Sequence, residues 1–420
     1  MTPLTLRCPV CDLRQQLPLL ATGTSARCGR CGHELTTAHH EMLTRAFALD
    51  ASGLMLLLGA AAYPFLGVST EGQAVQMTLF DSAVSLIEHH EPILGLIVFV
   101  LIFLMPVLLL CMQLTLVALL LAGRGGWLTT LLARGVLALT AWNMVEVFLV
   151  GVLVSVAKLT SIANVQIGVS FWCFLGFTLC TLAAQATLDR FQLWRVIELQ
   201  RGLRPLRSTP EPSMGCPECQ RLLPMQHAGA RCPVCFSWVQ VRFPRSLQRT
   251  LALLITAMVL YLPANLLPLM VTTTFGTSTR ATIAGGILLL WQDGSYPTAI
   301  IIFVASLLVP ILKILMLLWL CYSVWQAHAH SLRERTVLYQ LTEFIGRWSM
   351  VDVFVVALLV ALFQFGAVLA VEPGAAALAF CGVVVFTMLA AQAFDPRLIW
   401  DAELANPRVT GRRPMAQGST

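Results

Sequence analysis

The stretch Arg347-Trp348-Ser349-Met350-Val351-Asp352-Val353-Phe354 has a near-copy 206 positions earlier, Ala141-Trp142-Asn143-Met144-Val145-Glu146-Val147-Phe148. In each copy Trp-x-Met-Val is followed by an acid and then Val-Phe, inside an apolar segment. A carboxylic acid in hydrocarbon is costly and is a functional hypothesis by default. Further landmarks recur in the same order: Pro106 and Pro310, Leu-Ala-Ala-Gln-Ala at 182–186 and 389–393, Trp194 and Trp400. Matching points this numerous and this ordered mean one module written twice.

The chain is 57% hydrophobic and 11% charged, with a mean hydropathy of +0.78. Soluble domains carry about 25% charged residues, so this is a polytopic membrane protein. Apolar segments fall at 47–68, 93–122, 135–157 and 168–188, and again at 248–270, 297–324, 348–369 and 375–394. Each has the length to span a bilayer. Pro106 predicts a kink. Thr282–Trp291 and Leu79–Glu88 are too short to span and read as interfacial or re-entrant helices. The first residues are polar and hold cysteines, so no cleavable signal peptide is expected.

The net charge of +6 does not suggest nucleic acid, because the arginines are spread over several loops. With four spans per half and both termini inside, 24 of the 27 Lys and Arg residues fall on inner segments. Lys158 and Arg280 fall outside, and Lys313 lies within a span. The positive-inside rule therefore puts both termini in the cytosol.

Eight of 13 cysteines form four Cys-x-x-Cys pairs. Cys8/Cys11 and Cys28/Cys31 are separated by 16 residues, and Cys216/Cys219 and Cys232/Cys235 by 12. Two knuckles at this spacing bring four thiolates to one tetrahedral centre, with Zn–S bonds of about 2.3 Å. Segments this short cannot bury enough apolar surface to fold alone, so a metal is the natural staple. A redox dithiol would usually show one Cys-x-x-Cys at a helix start. Zinc, at two structural four-cysteine sites, is the expected cofactor. His33, His39 and His40 are expected to be solvated, since four cysteines complete the first site. Cys111, Cys173, Cys180, Cys321 and Cys381 read as small hydrophobes within apolar segments.

Lys313 lies 16 residues past Pro297, roughly 24 Å along a helix, hence in the inner half of the bilayer. Asp352 lies about one turn inside its span, so a Lys313–Asp352 pair between neighbouring helices is expected. Ser306, Ser349 and Thr387 are the hydroxyls that complete a polar cluster. Such a pair reads either as a structural pin or as a proton relay. Leu109 occupies the position matching Lys313, so Glu146 is a second intramembrane acid without a lysine of its own.

The expected fold is all-α: two repeated four-helix transmembrane modules, each preceded by a small cytosolic zinc ribbon. The boundaries read as a ribbon at 1–45, a membrane module at 46–190, an interfacial helix and linker at 191–212, a ribbon at 213–245, a membrane module at 246–396, and a disordered tail at 397–420. The helix opening at Asp189 looks interfacial, with snorkelling arginines.

The ordered ribbons, the Arg347–Phe354 motif, Val309-Pro310-Ile311-Leu312-Lys313 and the Leu-Ala-Ala-Gln-Ala repeats resemble the paraquat-inducible protein A family of Gram-negative inner membranes, over nearly the whole chain. The resemblance implies lipid traffic between inner and outer membranes. It further implies a periplasm-spanning MCE-type tunnel partner, with this chain loading or receiving phospholipid. A non-enzymatic transport role is expected, and with no P-loop motif present the chain is not expected to hydrolyse nucleotide by a P-loop. The competing readings are a zinc- or thiol-based membrane stress sensor or redox protein, and a passive anchor for the partner.

Overall fold

The computed structural model of the chain describes residues 4–18, 20–70, 73–81, 84, 87, 92–159, 164–203, 212–274, 277–292, 294, 296–326, 331–351, 353–355, 358 and 369–405. Among the described residues, seven helical stretches are long and apolar enough to cross a membrane. The expected span at 348–369 falls largely outside them, as do residues 406–420 of the expected disordered tail; its first residues, Arg397–Ala405, are corrected to a helix.

A four-stranded ribbon opens the chain: β1 (Leu4–Arg7), β2 (Arg14–Leu17), β3 (Ser25–Arg27) and β4 (Glu34–Thr37), paired as two hairpins. The first membrane half follows. Helix α1 (Met42–Ala62) leads into β5 (Leu66–Thr70) and β6 (Gln73–Met77). Helices α2 (Pro92–Phe99) and α3 (Met105–Leu121) form one rod, joined by a π turn at Val100–Leu104. Then come α4 (Trp127–Thr140), α5 (Val145–Leu159), β7 (Asn164–Ile167), α6 (Val169–Thr187) and the shorter α7 (Arg190–Gln200).

The second half repeats this plan. Strands β8 (Ser213–Gly215) and β9 (Leu222–Pro224) belong to its ribbon. Helix α8 (Ser246–Leu266) precedes β10 (Met270–Thr274) and β11 (Thr277–Ala281), then α9 (Ile283–Gln292). Helices α10 (Tyr296–Ile302) and α11 (Val309–Trp325) again flank a π turn, Phe303–Leu308. Last come α12 (Leu332–Trp348), β12 (Leu369–Pro373), α13 (Ala375–Ala393) and α14 (Arg397–Ala405).

The expected kink at Pro106 takes the form of a π turn, and Pro310 has the same one. Proline lacks an N–H and crowds the carbonyl four residues back. Widening the preceding turn relieves both problems without breaking the rod.

The expected span at 135–157 is corrected. Its helix starts earlier, at Trp127, and is interrupted at residues 141–144, where Trp142-Asn143-Met144 sit in a turn. In the second half the turn falls at Ser349-Met350. The duplicated motif is thus the break in a discontinuous helix. Arg134 lies inside α4. Irregular backbone at membrane depth survives only where protein buries it or a cavity lines it.

Two small sheets escaped the all-α reading. Their orders are β6-β5-β7 and β11-β10-β12, all antiparallel. They cap the bundles at the ends of α1 and α8 remote from the ribbons. A glycine makes each cap possible. A Cβ at Gly168 would collide with the Pro64 carbonyl oxygen, and one at Gly374 with that of Pro268. The Gly168 amide donates to Phe65 O at 3.1 Å, and Gly374 to Leu269 O at 2.8 Å.

The halves meet through the helices that follow the breaks. Phe148 and Phe354, counterparts in the repeat, pack edge to face at 5.6 Å. A residue touching its own counterpart marks a local two-fold axis. Gly151 keeps this seam close, since a Cβ there would sit 3.3 Å from that of Phe354.

The ribbons cross over. The first ribbon packs on the second half, where Leu6, Cys8, Leu17 and Leu35 share a core with α8, α11, α12 and α13. The second ribbon packs on the first half, against α3, α4 and α7. On helix α7, Leu193, Trp194 and Ile197 are buried in this ribbon contact.

Candidate functional site

Each ribbon closes on a cluster of buried thiols. In both, all four sulfurs lie within 4.8 Å of one another. Cys8–Cys31 and Cys11–Cys28 are 3.5 Å apart, Cys216–Cys235 3.4 Å and Cys219–Cys232 3.6 Å. A tetrahedron with metal–sulfur bonds of about 2.3 Å has edges of about 3.8 Å. The donor set therefore fits a metal ion.

The knuckles explain how the chain delivers these sulfurs. In all four, the residue after the second cysteine adopts a left-handed conformation: Asp12, Gly32, Gln220 and Phe236. Its amide donates to the first cysteine's carbonyl at 2.9–3.0 Å, and the first cysteine's amide is taken up beyond it. Hydrogen bonding to Cys11 pulls Cys31 down while Cys11 is pushed up by Cys31. Cys216 and Cys219 form the same opposed pair. Metal binding takes such thiols as thiolates and releases their protons.

Charged and aromatic contacts fasten each ribbon to the far half. Arg30 lies over the Trp400 ring at 4.5 Å, and Arg242 bridges Asp12 at 3.0 Å and Asp401 at 2.6 Å. Arg221 meets Glu198 at 2.7 Å on the other ribbon. His33 is a correction to the solvated reading. Its ring contacts Gln340 at 3.4 Å, and burial pushes it below the usual imidazole range. Among the other cysteines, Cys321 and Cys381 are buried, whereas Cys111 faces outward.

Between the halves lies a cavity of about 390 Å³. Leu137 and Ala141 line it from the first half; Lys313, Glu343, Phe344 and Arg347 line it from the second. Lys313 is 2% exposed, and its Nζ has no hydrogen-bond partner among the described residues. Gly346 makes room for it: a Cβ there would lie 2.9 Å from Nζ. Asp352 lies outside the described residues, so the expected pair is not placed.

The expected hydroxyls are all buried. Ser349 Oγ donates to Gly346 O at 2.8 Å and Thr387 Oγ1 to Val384 O at 2.9 Å. A hydroxyl that donates to its own helix keeps lone pairs for a cationic neighbour. Ser306 sits in the π turn before Pro310.

Glu146 does have a cation, from the other half: Arg347 Nη1 is 3.7 Å from its carboxylate. The sequence supplied both residues but not the cross-repeat contact. It also left Glu343 and the Asp50–Gln113 neighbourhood in the first half unread. Asp50 is an acid inside the apolar segment 47–68.

Comparison with known proteins places this geometry. The profile described as "Paraquat-inducible protein A" matches twice, at residues 43–198 and 247–403. The chain is similar to "Intermembrane transport protein PqiA" of Escherichia coli K12, at 39% identity over 94% of this chain and 95% of that protein. It is similar to "Lipophilic envelope-spanning tunnel protein A" of the same organism, at 32% identity over 96% and 92%. A "Probable intermembrane transport protein" of Haemophilus influenzae is 28% identical over 94% and 95%. No solved structure matches the chain.

Proposed function

The chain belongs to the paraquat-inducible protein A family, and from that premise we propose that it is the inner-membrane component of an intermembrane lipid transport system. It loads or receives phospholipid for a periplasm-spanning partner of the MCE type, with both termini cytosolic. It works as a transporter subunit and not as an enzyme.

The observation that carries this reading is the cavity between the halves. Its apolar residues (Leu137, Ala141, Phe344, Met388) stand beside Lys313 and Arg347, with Glu343 as the one acid in the lining, and this excess of cationic over anionic groups suits an amphipathic molecule with an anionic headgroup. The helix break beside it frees backbone polar groups at membrane depth.

In this reading the Lys313–Asp352 pair, with Ser306, Ser349 and Thr387, gates the cavity. Moving a proton within the pair biases two arrangements of the second bundle. Glu146, held by Arg347, ties the first half to that movement. The four-cysteine clusters hold one structural zinc each and keep the ribbons rigid beneath the bundles.

The test is lipid delivery to the outer membrane, or to a reconstituted partner, by Lys313→Ala and Asp352→Asn. Both variants insert and fold, and both lose delivery. Retained delivery in both removes the gating role. Metal analysis accompanies it: two tightly held zinc ions per chain are expected. Empty, readily oxidised thiols would move the reading to a thiol-based sensor.

A further inference from the structure

The first half buries an acid that transport through the cleft does not use. Asp50 sits eight residues into α1, about 12 Å along the helix. It is 1% exposed, and neither carboxyl oxygen has a hydrogen-bond partner among the described residues. Gln113 on α3, equally buried, is its polar neighbour.

The packing around Asp50 is otherwise apolar. One turn further along α1, Gly53 meets Cys180, Leu110 and Phe177. At the level of Asp50, α6 offers Thr181, whose hydroxyl donates to Phe177 O at 2.9 Å. Among the described residues no charged group from α3 or α6 faces the carboxyl. Burying an unpaired carboxylate costs several kcal/mol or more, so this one needs a counter-charge or a proton.

The second half sharpens the point. The counterparts of Asp50 and Gln113 are Leu254 and Leu317, both buried leucines. The counterpart of Lys313 is the buried Leu109. Each half therefore carries its own ionisable group where the other has leucine. By the repeat, Asp50 and Gln113 lie about one turn nearer the ribbons than Lys313 does.

We infer that Asp50 and Gln113 form a proton-binding station in the first bundle, separate from the Lys313 cluster. Gln113 suits both states of the acid. An amide N–H can donate to a carboxylate, and an amide carbonyl can accept from a protonated carboxyl's O–H. An arginine or lysine would instead hold the acid ionised. A metal cation fits less well: hard cations take about six or more oxygens, and this pair supplies three. The station does not depend on which solute the cleft carries.

The test is infrared difference spectroscopy of the full-length, zinc-loaded protein in detergent, titrated from mildly acidic to mildly alkaline pH. Wild type shows a protonated-carboxyl band that titrates and is missing entirely from Asp50→Asn. In Gln113→Leu the band remains but its midpoint moves. A difference spectrum between wild type and Asp50→Asn with no titrating carboxyl band overturns the proposal. So does a band whose midpoint ignores Gln113→Leu. The readout requires no transport, so it can succeed where the lipid reading fails, and the reverse.

Discussion

The two halves share a scaffold and differ in the charges buried inside it. Both have a four-cysteine ribbon, a π turn before a proline, a broken helix at the Trp-x-Met-Val motif and a three-stranded cap. Both use an aspartate at the same repeat position as a fastener. Asp189 caps α7 and accepts from Thr36 at 2.9 Å; Asp395 accepts from the Phe243 amide at 3.1 Å. Their interiors diverge: Asp50 and Gln113 in one half, Lys313 in the other, leucine at each matching place. The geometry that holds the helices together is the same in both halves, and the buried ionisable positions are where they differ.

The crossed ribbons give the largest expected effect. If the proposed zinc is bound, it contributes on the order of 10 kcal/mol to such a small Cys-rich module, so losing one ligand should unfold its ribbon. Cys28→Ser should raise hydrogen exchange in α11, α12 and α13 of the second half. Cys232→Ser should do so in α3, α4 and α7 of the first. Exchange rising in the module that follows the mutated ribbon, and not in the other, would break the crossed arrangement.

The shared caps come next. Gly168→Ala and Gly374→Ala each force a methyl group into a proline carbonyl. Each should cost about 3 kcal/mol, and the two should cost alike. Thermal unfolding in detergent checks this. A large inequality would mean that the caps only look equivalent.

A smaller effect separates the halves by pH. Burial would push the Asp395 carboxyl up, but the Arg397 fork at 2.8–2.9 Å and the Phe243 amide overcome it and hold it below the ordinary carboxylate range. A depressed folded-state value means the stabilisation is complete above the ordinary carboxylate range. It is lost as pH falls through the folded-state value. Asp395→Asn should cost about 2 kcal/mol at neutral pH and much less in acid. Chemical denaturation at several pH values measures it. An equal cost at every pH contradicts the assignment.

The smallest effect is at the seam. Arg347 and Glu146 are 37% and 22% exposed and 3.7 Å apart. Glu146→Gln should therefore change stability by about 1 kcal/mol or less. A larger loss would show that this pair locks the halves together.

Much of this was legible in the sequence because it was written as spacing. Four Cys-x-x-Cys pairs determine two four-cysteine clusters able to hold a metal ion, and the ordered landmarks reveal the duplication before any contact is known. What periodicity could not supply is contact between distant segments. Nothing local in Cys8-Pro9-Val10-Cys11 says that its ribbon will dock on Cys321 and Ala391. The caps were missed because Leu66–Thr70 continues an apolar run, and four or five residues are too few to separate strand from helix end. The helix break was read as a helix start, since a buried turn and a span terminus share polar residues. Asp50 was overlooked for the opposite reason: its neighbours follow the membrane pattern so well that one acid looked like an edge.

The central claim is that lipid occupies the cleft between the halves. The direct measurement is site-specific photocrosslinking in intact membranes, with the crosslinker at Phe344 in the cleft and at Leu58 on the outward face of α1. Phospholipid adducts at Phe344 should survive purification and fall several-fold in Lys313→Ala, while those at Leu58 stay unchanged. Equal adducts at both positions, indifferent to Lys313, would contradict it.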